Sequence, residues 1–271
     1  MTRDTLAFIG GGNMARSLIG GLVARGRAPD SIHVAEPQAA LREALAKDFG
    51  VQVHEDAGSA ARDAGTWVLA VKPQVMRGVC ETLAPLAARN QPLVVSIAAG
   101  VTAGSIDAWL GGGQAVVRTM PNTPSLLGAG ATGLYANPRV TPEGRALAES
   151  LMSAVGLAAW VSEESLMDAV TGVSGSGPAY VFLLSEALQA AGRAQGLDAD
   201  TARALANQTL LGAARMLDET GEDAATLRQR VTSPGGTTQA ALESFEADGF
   251  RDIVARAVAA ATNRGRQLAA S

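Results

Sequence analysis

Hydrophobic residues in the first part of the chain fall into short, nearly continuous runs, each followed by a turn and by apolar positions at helical spacing. Runs of this kind are typical of the buried strands of a parallel sheet, in which strands and helices alternate. We predict strands at residues 5–9, 32–35, 51–53, 67–71, 93–97, 115–119, 132–136 and 157–161. The pattern therefore predicts an α/β fold in which residues 1–162 form a doubly wound sheet.

The pattern changes at Glu163, and no strand-like alternation returns. Ala- and Leu-rich segments follow, and several of them carry apolar residues on more than one face. We predict helices at residues 179–194, 200–219, 224–231, 239–247 and 250–268. Helices that are apolar nearly all round must be buried, and this half has too few to bury one another in a monomer. Residues 163–271 are therefore predicted to form an all-α dimerisation domain in a homodimer or higher homo-oligomer.

Composition and charge narrow the classes of partner. The 271 residues are 47% hydrophobic, which is ample for two domain cores. The net charge is −4 with no basic run, so attachment to nucleic acid or to an acidic membrane lacks its usual electrostatic basis. No apolar stretch reaches the roughly 20 residues of a membrane span, and the N-terminal run shows no signal-peptide pattern. With a single cysteine, Cys80, these features predict a cytoplasmic protein whose partners are small molecules.

A glycine-rich turn follows the first predicted strand. Gly10, Gly12 and Ala15 form a G-x-G-x-x-A pattern that opens a predicted helix. Such a turn lets a pyrophosphate approach the backbone at the helix N-terminus. The second strand ends at Glu36, about 20 residues further on, where a carboxylate can accept hydrogen bonds from a ribose. The pattern favours a Rossmann-type, dinucleotide-binding domain; the alternative is a glycine-rich turn followed by a surface glutamate.

Small and turn-forming residues follow three further strands. Lys72 and Pro73 follow one, the sequence A-A-G ending at Gly100 follows the next, and M-P-N-T-P over residues 120–124 follows the third. Each could simply end a strand. Because the carboxyl ends of parallel strands meet at one edge of a sheet, where such folds bind ligands, three endings of this kind together favour a binding site.

Two motifs rich in Gly, Ser, Thr and Pro precede predicted helices in the second half. One is T-G-V-S-G-S-G-P-A-Y over residues 171–180, and the other is T-S-P-G-G-T-T over residues 232–238. At a helix N-terminus such residues present free backbone N–H groups and hydroxyls. Both motifs therefore favour an anion-binding pocket. For the hydroxyls of Thr171, Ser174 and Ser176, helix capping is at least as good an interpretation as catalysis.

The positions of the ionisable residues favour one reaction over others. Both histidines, His33 and His54, and both lysines, Lys47 and Lys72, lie in the first half. Reduction of a ketone usually requires a positioned acid or base, whereas an imine mainly needs positioning, exclusion of water and capture of any carboxylate. The inventory therefore favours an imine substrate. It leaves no metal site with ligand spacing, and Ser174 has no histidine in its half to act as a base.

Six motifs together resemble the pyrroline-5-carboxylate reductase family over essentially the whole chain. They are F-I-G-G-G-N-M-A (8–15), A-V-K-P (70–73), S-I-A-A-G-V (96–101), M-P-N-T-P (120–124), D-A-V-T-G-V-S-G-S-G-P-A-Y (168–180) and T-S-P-G-G-T-T (232–238). The last two are the specific ones, since many dehydrogenases share the glycine fingerprint. The resemblance implies reduction of 1-pyrroline-5-carboxylate to L-proline with NADPH or NADH, the last step of proline biosynthesis.

The resemblance also implies roles for individual residues. The cofactor would be bound by Gly10, Gly11, Gly12, Asn13 and Met14 at the pyrophosphate, Ala35 and Glu36 at the ribose, and Val71, Lys72, Pro73, Ala98 and Ala99 at the nicotinamide half. The substrate would be bound by Glu164, Ser174, Ser176, Gly236, Thr237 and Thr238, with Thr171, or a water that it holds, as the proton relay.

The sequence departs from the family pattern at several of its positions. Glu36 stands where members that favour NADPH tend to have small or hydroxyl side chains, so we expect a preference for NADH, although Arg42 could reach a 2′-phosphate. Ala57 replaces a common Asn near the adenosine pocket. Arg230 replaces a frequent Asn before the T-S-P-G-G-T-T motif; it either pairs with the substrate carboxylate or faces water.

Two other functions fit parts of the sequence. A hydroxy-acid dehydrogenase of the same two-domain plan relies on a lysine in its helical half, but no lysine follows Lys72. A non-catalytic NAD(P)-sensing protein would keep the fold without the chemistry, and the intact T-S-P-G-G-T-T motif counts against it.

Overall fold

The computed structural model describes residues 4–269, and an eight-stranded sheet forms the first part of the chain. The strands are β1 (Leu6–Ile9), β2 (Ile32–Ala35), β3 (Gln52–His54), β4 (Thr66–Leu69), β5 (Leu93–Ser96), β6 (Ala115–Met120), β7 (Gly130–Ala136) and β8 (Gly156–Trp160). All eight predicted strands are confirmed, and each observed strand end lies within two residues of the predicted end.

Helices cover both faces of this sheet. They are α1 (Asn13–Ala24), α2 (Ala39–Phe49), α3 (Ala57–Ala61), α4 (Pro73–Asn90), α5 (Ala103–Trp109) and α6 (Pro142–Ser153). Alternate residues of β1 point to opposite faces, so Leu6 and Phe8 join the core under α1, α2 and α6, while Ala7 and Ile9 join the core under α3, α4 and α5. Both faces of the strand are buried, which explains its unbroken apolar run.

The strand order is β3-β2-β1-β4-β5-β6-β7-β8, and β1 to β6 are parallel. The chain passes from one side of β1 to the other after β3, so the order reverses between β1 and β4. In such sheets ligands bind outside the carboxyl ends of the strands at this reversal. The structure confirms the predicted Rossmann-type doubly wound sheet.

Strand β7 runs antiparallel to β6, and β8 is parallel to β7. The connection over residues 121–129 contains only a 3-10 turn, Thr123–Leu127. A parallel neighbour would require a crossover of a dozen or more residues, so the short M-P-N-T-P segment dictates a reversal of direction. This segment therefore lies close to the edge at which β6 ends.

After β8 the described residues are helical. A 3-10 turn (Glu164–Leu166), α7 (Met167–Val170) and a π-helical segment (Thr171–Gly175) come first. The remaining helices are α8 (Gly177–Ala194), α9 (Ala199–Glu219), α10 (Ala224–Arg230), α11 (Thr237–Ala247) and α12 (Phe250–Ala269). The five predicted helices of this half are confirmed.

Contacts divide the chain into two compact units. The first unit contains the sheet, continues to Ser176 and includes the end of the chain from Ala261, and the second is Gly177–Ala260. The predicted domain boundary between residues 162 and 163 stays a prediction. The outer ends of the predicted domains, residues 1–3 and 270–271, lie outside the described residues.

The second unit carries many exposed apolar side chains. A groove of about 630 Å³ on it is lined largely by apolar residues of three helices: Leu184, Leu188, Leu242, Phe245, Phe250 and Val254. Phe182 and Leu183 are 61% and 66% exposed on α8. Surfaces of this kind mark contacts with another protein surface.

Candidate active site

The glycine turn between β1 and α1 is shaped by its neighbours. Gly10 has φ +107°, and a Cβ there would lie 2.7 Å from the carbonyl oxygen of Ala70, so no other residue fits. Gly12 caps α1 without a side chain, and a Cβ at this position would meet nothing within 4 Å. The first turn of α1 thus faces open space, and first-turn N–H groups lack intrahelical acceptors. This geometry fits the predicted pyrophosphate site at Gly10 to Met14.

Glu36 lies against this turn and is only 6% exposed. One carboxylate oxygen accepts a hydrogen bond from Gly11 N–H at 3.0 Å, and the other accepts from Gln38 N–H at 3.0 Å. A Cβ on Gly11 would lie 3.1 Å from the Glu36 Cβ, so glycine is needed for this contact. The structure therefore excludes the interpretation of Glu36 as a surface glutamate, and it brings Glu36 and the glycine turn together as predicted.

Arg42 lies at the same end of β2. Its Nη1 donates to the carbonyl oxygens of Glu36 and Pro37, both at 2.7 Å. The guanidinium is thus held beside the acidic residue that is predicted to contact the ribose.

The ends of β4 and β5 lie next to the glycine turn in the sheet. Val71 Cγ1 is 3.2 Å from the place that a Cβ on Gly10 would occupy, and Pro73 begins α4, with Lys72 at its N-cap. After β5, Ala98 is buried, and its N–H donates to Ser96 Oγ at 3.3 Å. The predicted nicotinamide-side residues Val71, Lys72, Pro73, Ala98 and Ala99 therefore follow neighbouring strands at one edge of the sheet.

The T-G-V-S-G-S-G motif directly precedes α8 as predicted, but it continues from α7 and does not form the predicted free helix N-terminus. Thr171–Gly175 is π-helical, and Ser176 N–H donates to the Thr171 carbonyl at 2.8 Å. The hydroxyls are used inside the helix: Thr171 Oγ1 donates to the Met167 carbonyl at 2.9 Å, and Ser174 Oγ donates to the Val170 carbonyl at 3.0 Å. Back-bonding to a carbonyl one turn earlier replaces the expected capping and N–H presentation. Short π-helical segments are frequent at functional sites.

Asn122 holds the π-helical segment, a role that the sequence analysis missed. The side chain is buried; its Nδ2 donates to the Ser174 carbonyl at 3.0 Å, and its Oδ1 accepts from Ala131 N–H at 2.9 Å. The available sequence signal for this role was Asn122 itself, within M-P-N-T-P. Between two prolines, the main local role of an asparagine is to form a turn.

Glu164 also has protein partners. Its Oε1 accepts from Ala103 N–H at 2.6 Å and lies 3.4 Å from Nη1 of Arg118, whose side chain is 5% exposed. Arg118 was missed as well; the available signal was an arginine inside the apolar strand A-V-V-R-T-M. The predicted contact of Glu164 with a substrate stays a prediction, and its observed bonds are to β6 and α5.

The T-S-P-G-G-T-T motif, in the second unit, forms the predicted helix N-terminus. α11 begins at Thr237 with Gly236 as N-cap and no side-chain cap, and Gly235 has φ +71°. Helix α11 has eleven residues, so its first-turn N–H groups carry the full partial charge of a helix N-terminus. The predicted binding of a substrate carboxylate by Gly236, Thr237 and Thr238 at this helix N-terminus stays a prediction.

Two side chains flank this turn. Gln239 Oε1 accepts from Gly235 N–H at 2.7 Å. Arg230 Nη1 lies 2.6 Å from Glu222 Oε1 in an exposed pair, so the arginine has an acidic partner within the chain.

A cysteine nucleophile and a metal site are the other kinds of chemistry to weigh against the structure. Burial raises the pKa of the Cys80 thiol to about 12, which makes it a core residue rather than a nucleophile. The described residues contain no group of three or more His, Cys, Asp or Glu side chains able to bind a metal. Within the same residues, no helix is both long and apolar enough to cross a membrane.

Comparison with known families matches both halves of the chain. A family described as "Pyrroline-5-carboxylate reductase dimerisation" matches residues 164–268, and one described as "NADP oxidoreductase coenzyme F420-dependent" matches residues 5–100. The pyrroline-5-carboxylate reductase of Pseudomonas aeruginosa is 50% identical over 269 residues, which are 99% of this chain and 98% of the relative. That of Glycine max is 40% identical over 265 residues, covering 97% and 96%.

Comparison with solved structures indicates the same family as these relatives. The pyrroline-5-carboxylate reductase of Coxiella burnetii is similar with a TM-score of 0.96 and 45% identity, covering 98% of this chain and 99% of that one. The Plasmodium falciparum pyrroline carboxylate reductase, solved with NADP bound, has a TM-score of 0.84 and 28% identity, covering 99% of each chain. With end-to-end matches at this level of identity, the chain belongs to the pyrroline-5-carboxylate reductase family.

Proposed function

We propose that this chain is an NAD(P)-dependent reductase that converts 1-pyrroline-5-carboxylate to L-proline, the last step of proline biosynthesis. The observation that carries the proposal is the end-to-end identity with curated pyrroline-5-carboxylate reductases, 50% for the Pseudomonas aeruginosa protein. The residue inventory supports it independently. The helical half has no His or Lys that could act as the acid or base needed by a dehydrogenase of ketones or alcohols.

The cofactor is bound at the carboxyl edge of the sheet. Backbone N–H groups from Gly12 to Met14 bind the pyrophosphate, because the α1 N-terminus is uncapped and open. Ala35 and Glu36 lie at the ribose, and Val71 to Pro73 with Ala98 and Ala99 line the nicotinamide half. NADPH or NADH supplies the hydride when it is bound.

Glu36 favours NADH over NADPH. Its buried carboxylate is held by Gly11 and Gln38, so it cannot turn away from a 2′-phosphate without breaking both hydrogen bonds. Arg42 is close enough to offset part of this repulsion, but its Nη1 is already bound by two carbonyl oxygens. We therefore expect a preference for NADH that Glu36→Ser would reverse or abolish.

The substrate carboxylate is bound by the α11 N-terminus. The helix dipole favours an anion there by about 0.3–1 kcal/mol when exposed and up to about 2 when partly buried. Gly236, Thr237 and Thr238 supply the backbone and hydroxyl donors. Arg230 has Glu222 as its partner, so we assign it no direct contact with the carboxylate.

The proton reaches the imine nitrogen from a water that Thr171 holds. Its hydroxyl proton points to the Met167 carbonyl, so the oxygen is left with lone pairs that accept. A water that donates a hydrogen bond to Thr171 Oγ1 can give its other proton to the imine nitrogen, and the hydroxide left behind takes a proton from bulk water. This geometry favours the water held by Thr171 over direct donation by the hydroxyl, with Ser174 and Ser176 nearby in the chain.

The second unit forms the interface of a homodimer or higher homo-oligomer. Its apolar groove and the exposed side chains of α8 would otherwise face water. The family that matches residues 164–268 is described as "Pyrroline-5-carboxylate reductase dimerisation". We place the protein in the cytoplasm, where a reduced Cys80 and a dinucleotide pool are expected.

Oxidation of NADH and NADPH with 1-pyrroline-5-carboxylate tests the proposal. The purified chain should oxidise one cofactor per L-proline formed, with the higher kcat/KM for NADH. A heat-denatured sample and a Gly12→Glu variant, which places a carboxylate at the proposed pyrophosphate site, are the controls. If neither NADH nor NADPH were oxidised in the presence of the imine, the proposal would be wrong.

A further inference from the structure

Arg118 is a buried charge within the sheet. It lies on β6, where its register partners are Ser96 on β5 and Tyr135 on β7, and its side chain is 5% exposed. Taking a guanidinium out of water is costly unless carboxylates and hydrogen bonds compensate it. The groups that compensate this buried charge therefore indicate which parts of the fold Arg118 holds together.

Two carboxylates face the guanidinium, and both lie in the segment after β8. Glu164 Oε1 is 3.4 Å from Nη1, and Asp168 Oδ1 is 3.9 Å from Nη2. Asp168 stands three residues before Thr171 along the helix. Arg118 thus ties the start of the segment that carries the proposed proton relay to the end of β6.

Glu164 links Arg118 to the loop between β5 and α5. The oxygen that faces Arg118 also accepts from Ala103 N–H at 2.6 Å, at the first residue of α5. The other end of the loop is held at Ser96, whose carbonyl accepts from Thr119 Oγ1 at 3.0 Å. Ala98 and Ala99, the proposed nicotinamide contacts, lie between these two fixed ends.

We propose that Arg118 and Glu164 are positioning residues that set the nicotinamide side of the cofactor site through Ala103. Glu164 acts on the loop of residues 97–102, and it does not contact the substrate. This inference rests on the proposed function for the role of the loop, and it replaces the predicted role of Glu164 in substrate binding.

Variants of Glu164 separate the two roles. Glu164→Gln keeps an oxygen that can accept from Ala103 N–H but loses the charge, whereas Glu164→Ala loses both. We expect Glu164→Ala to raise the Kd for NADH by about fivefold to tenfold, less than the roughly 12- to 150-fold of one lost charge-assisted hydrogen bond, because Glu164 acts on the cofactor only through the loop. Glu164→Gln should stay within about threefold of the wild type, because it keeps a neutral hydrogen bond. The KM for the imine should change by less than about twofold in both variants.

The Kd is measured without substrate, by quenching of protein fluorescence on titration with NADH. It therefore tests the inference even if the chain turns over no imine, an outcome that would overturn only the proposed function. Thermal unfolding of each variant separates a local change from a loss of fold. An unchanged NADH Kd in Glu164→Ala, with a raised KM for the imine, would overturn the inference and restore direct substrate contact.

A double-mutant cycle tests whether Arg118 and Glu164 act as one unit. Arg118→Lys keeps a positive charge if removal of the charge unfolds the protein, and Arg118→Met is the full test. The double variant Arg118→Met with Glu164→Ala should raise the NADH Kd no more than the larger of the two single changes. Additive changes would contradict a shared role. Arg77→Met is the matched control, because Arg77 forms an exposed pair with Glu81 at 2.8 Å and should leave the Kd unchanged.

Discussion

The side-chain amide of Gln239 binds the backbone of Gly235: Oε1 accepts from the Gly235 N–H at 2.7 Å. The amide's orientation is fixed from its other end, where Nε2 donates to Glu243 Oε1 at 2.7 Å. Gln239 is the third residue of α11, and a side chain at this position that reaches back to the turn resembles a capping box. The bond holds the turn that presents the α11 N-terminus to the proposed carboxylate.

Replacing Gln239 should weaken substrate binding selectively. Gln239→Ala leaves Gly235 N–H without its partner, so the turn loses its fixed geometry. We expect the KM for 1-pyrroline-5-carboxylate to rise about fivefold, which corresponds to about 1 kcal/mol, the usual cost of a lost cap. The Kd for NADH should not change. Glu243→Gln is the control, because glutamine can still accept from Gln239. An equal rise in KM in both variants, or a raised NADH Kd in Gln239→Ala, would contradict the account.

Thr171 should affect turnover more than binding. Thr171→Val removes the oxygen that would hold the proton-donating water, and valine has nearly the same shape. We expect kcat to fall by about 10- to 100-fold, at or below the low end of general acid catalysis, because water can still enter the site. Thr171→Ser keeps the hydroxyl and should retain most of the activity. If Thr171→Val had the wild-type kcat, Thr171 would have no role in proton transfer.

Asn122 should stabilise the fold and the π-helical segment together. Asn122→Asp keeps the acceptor for Ala131 N–H but places a carboxylate oxygen against the Ser174 carbonyl. We expect the free energy of unfolding to fall by about 1–3 kcal/mol, the cost of an unsatisfied buried polar group. Urea unfolding measures it, with Asn90→Asp as a matched change at an exposed amide that binds the Arg62 carbonyl. A loss no larger than that of the control would refute the structural role.

The stability of the fold should depend on pH through His54, which lies on the edge strand β3. Its pKa is lowered below 6.5 by burial first and by the neighbouring His33 second, whose Nδ1 is 3.1 Å from Nε2, with a smaller opposing effect of Asp56. Below about pH 6.5 the unfolded chain therefore binds more protons at this residue than the folded chain. Stability falls as the pH drops from about 6.5 to the lowered pKa.

Thermal unfolding between pH 7.5 and 5 measures this effect. His54→Asn should flatten the decline of Tm over that range, while the wild type shows a steeper loss. Parallel curves for the two proteins would mean that His54 does not titrate on unfolding in this range.

The fold followed from the sequence because its signals are local. Apolar runs such as that of β1 are long enough to define strands, and the glycine turn after Ile9 marks the first crossover. The reversal at β7 was not predicted, although its cause, the short connection over residues 121–129, is also local. The helices of the second half were predicted for the same reason.

Parts of the site could not be predicted, because they depend on partners far along the chain. The contacts of Arg118 with Glu164 and of Asn122 with Ser174 join residues 46 and 52 positions apart. The π-helical segment was missed because Gly, Ser and Thr favour caps and turns by local propensity, and tertiary contacts overrode that preference. The position of Gln239 was visible in the sequence, but its direction back to Gly235 was not.

Competing substrates test the central claim, that the chain reduces an imine that carries a carboxylate. Initial rates of NADH oxidation are compared for 1-pyrroline-5-carboxylate, for 1-pyrroline without the carboxylate, and for a 2-keto acid. The account predicts turnover of the first, a kcat/KM about 10- to 100-fold lower for the second because the charge-assisted bonds at the α11 N-terminus are lost, and none for the keto acid. Turnover of the keto acid at a rate equal to that of the imine would contradict it.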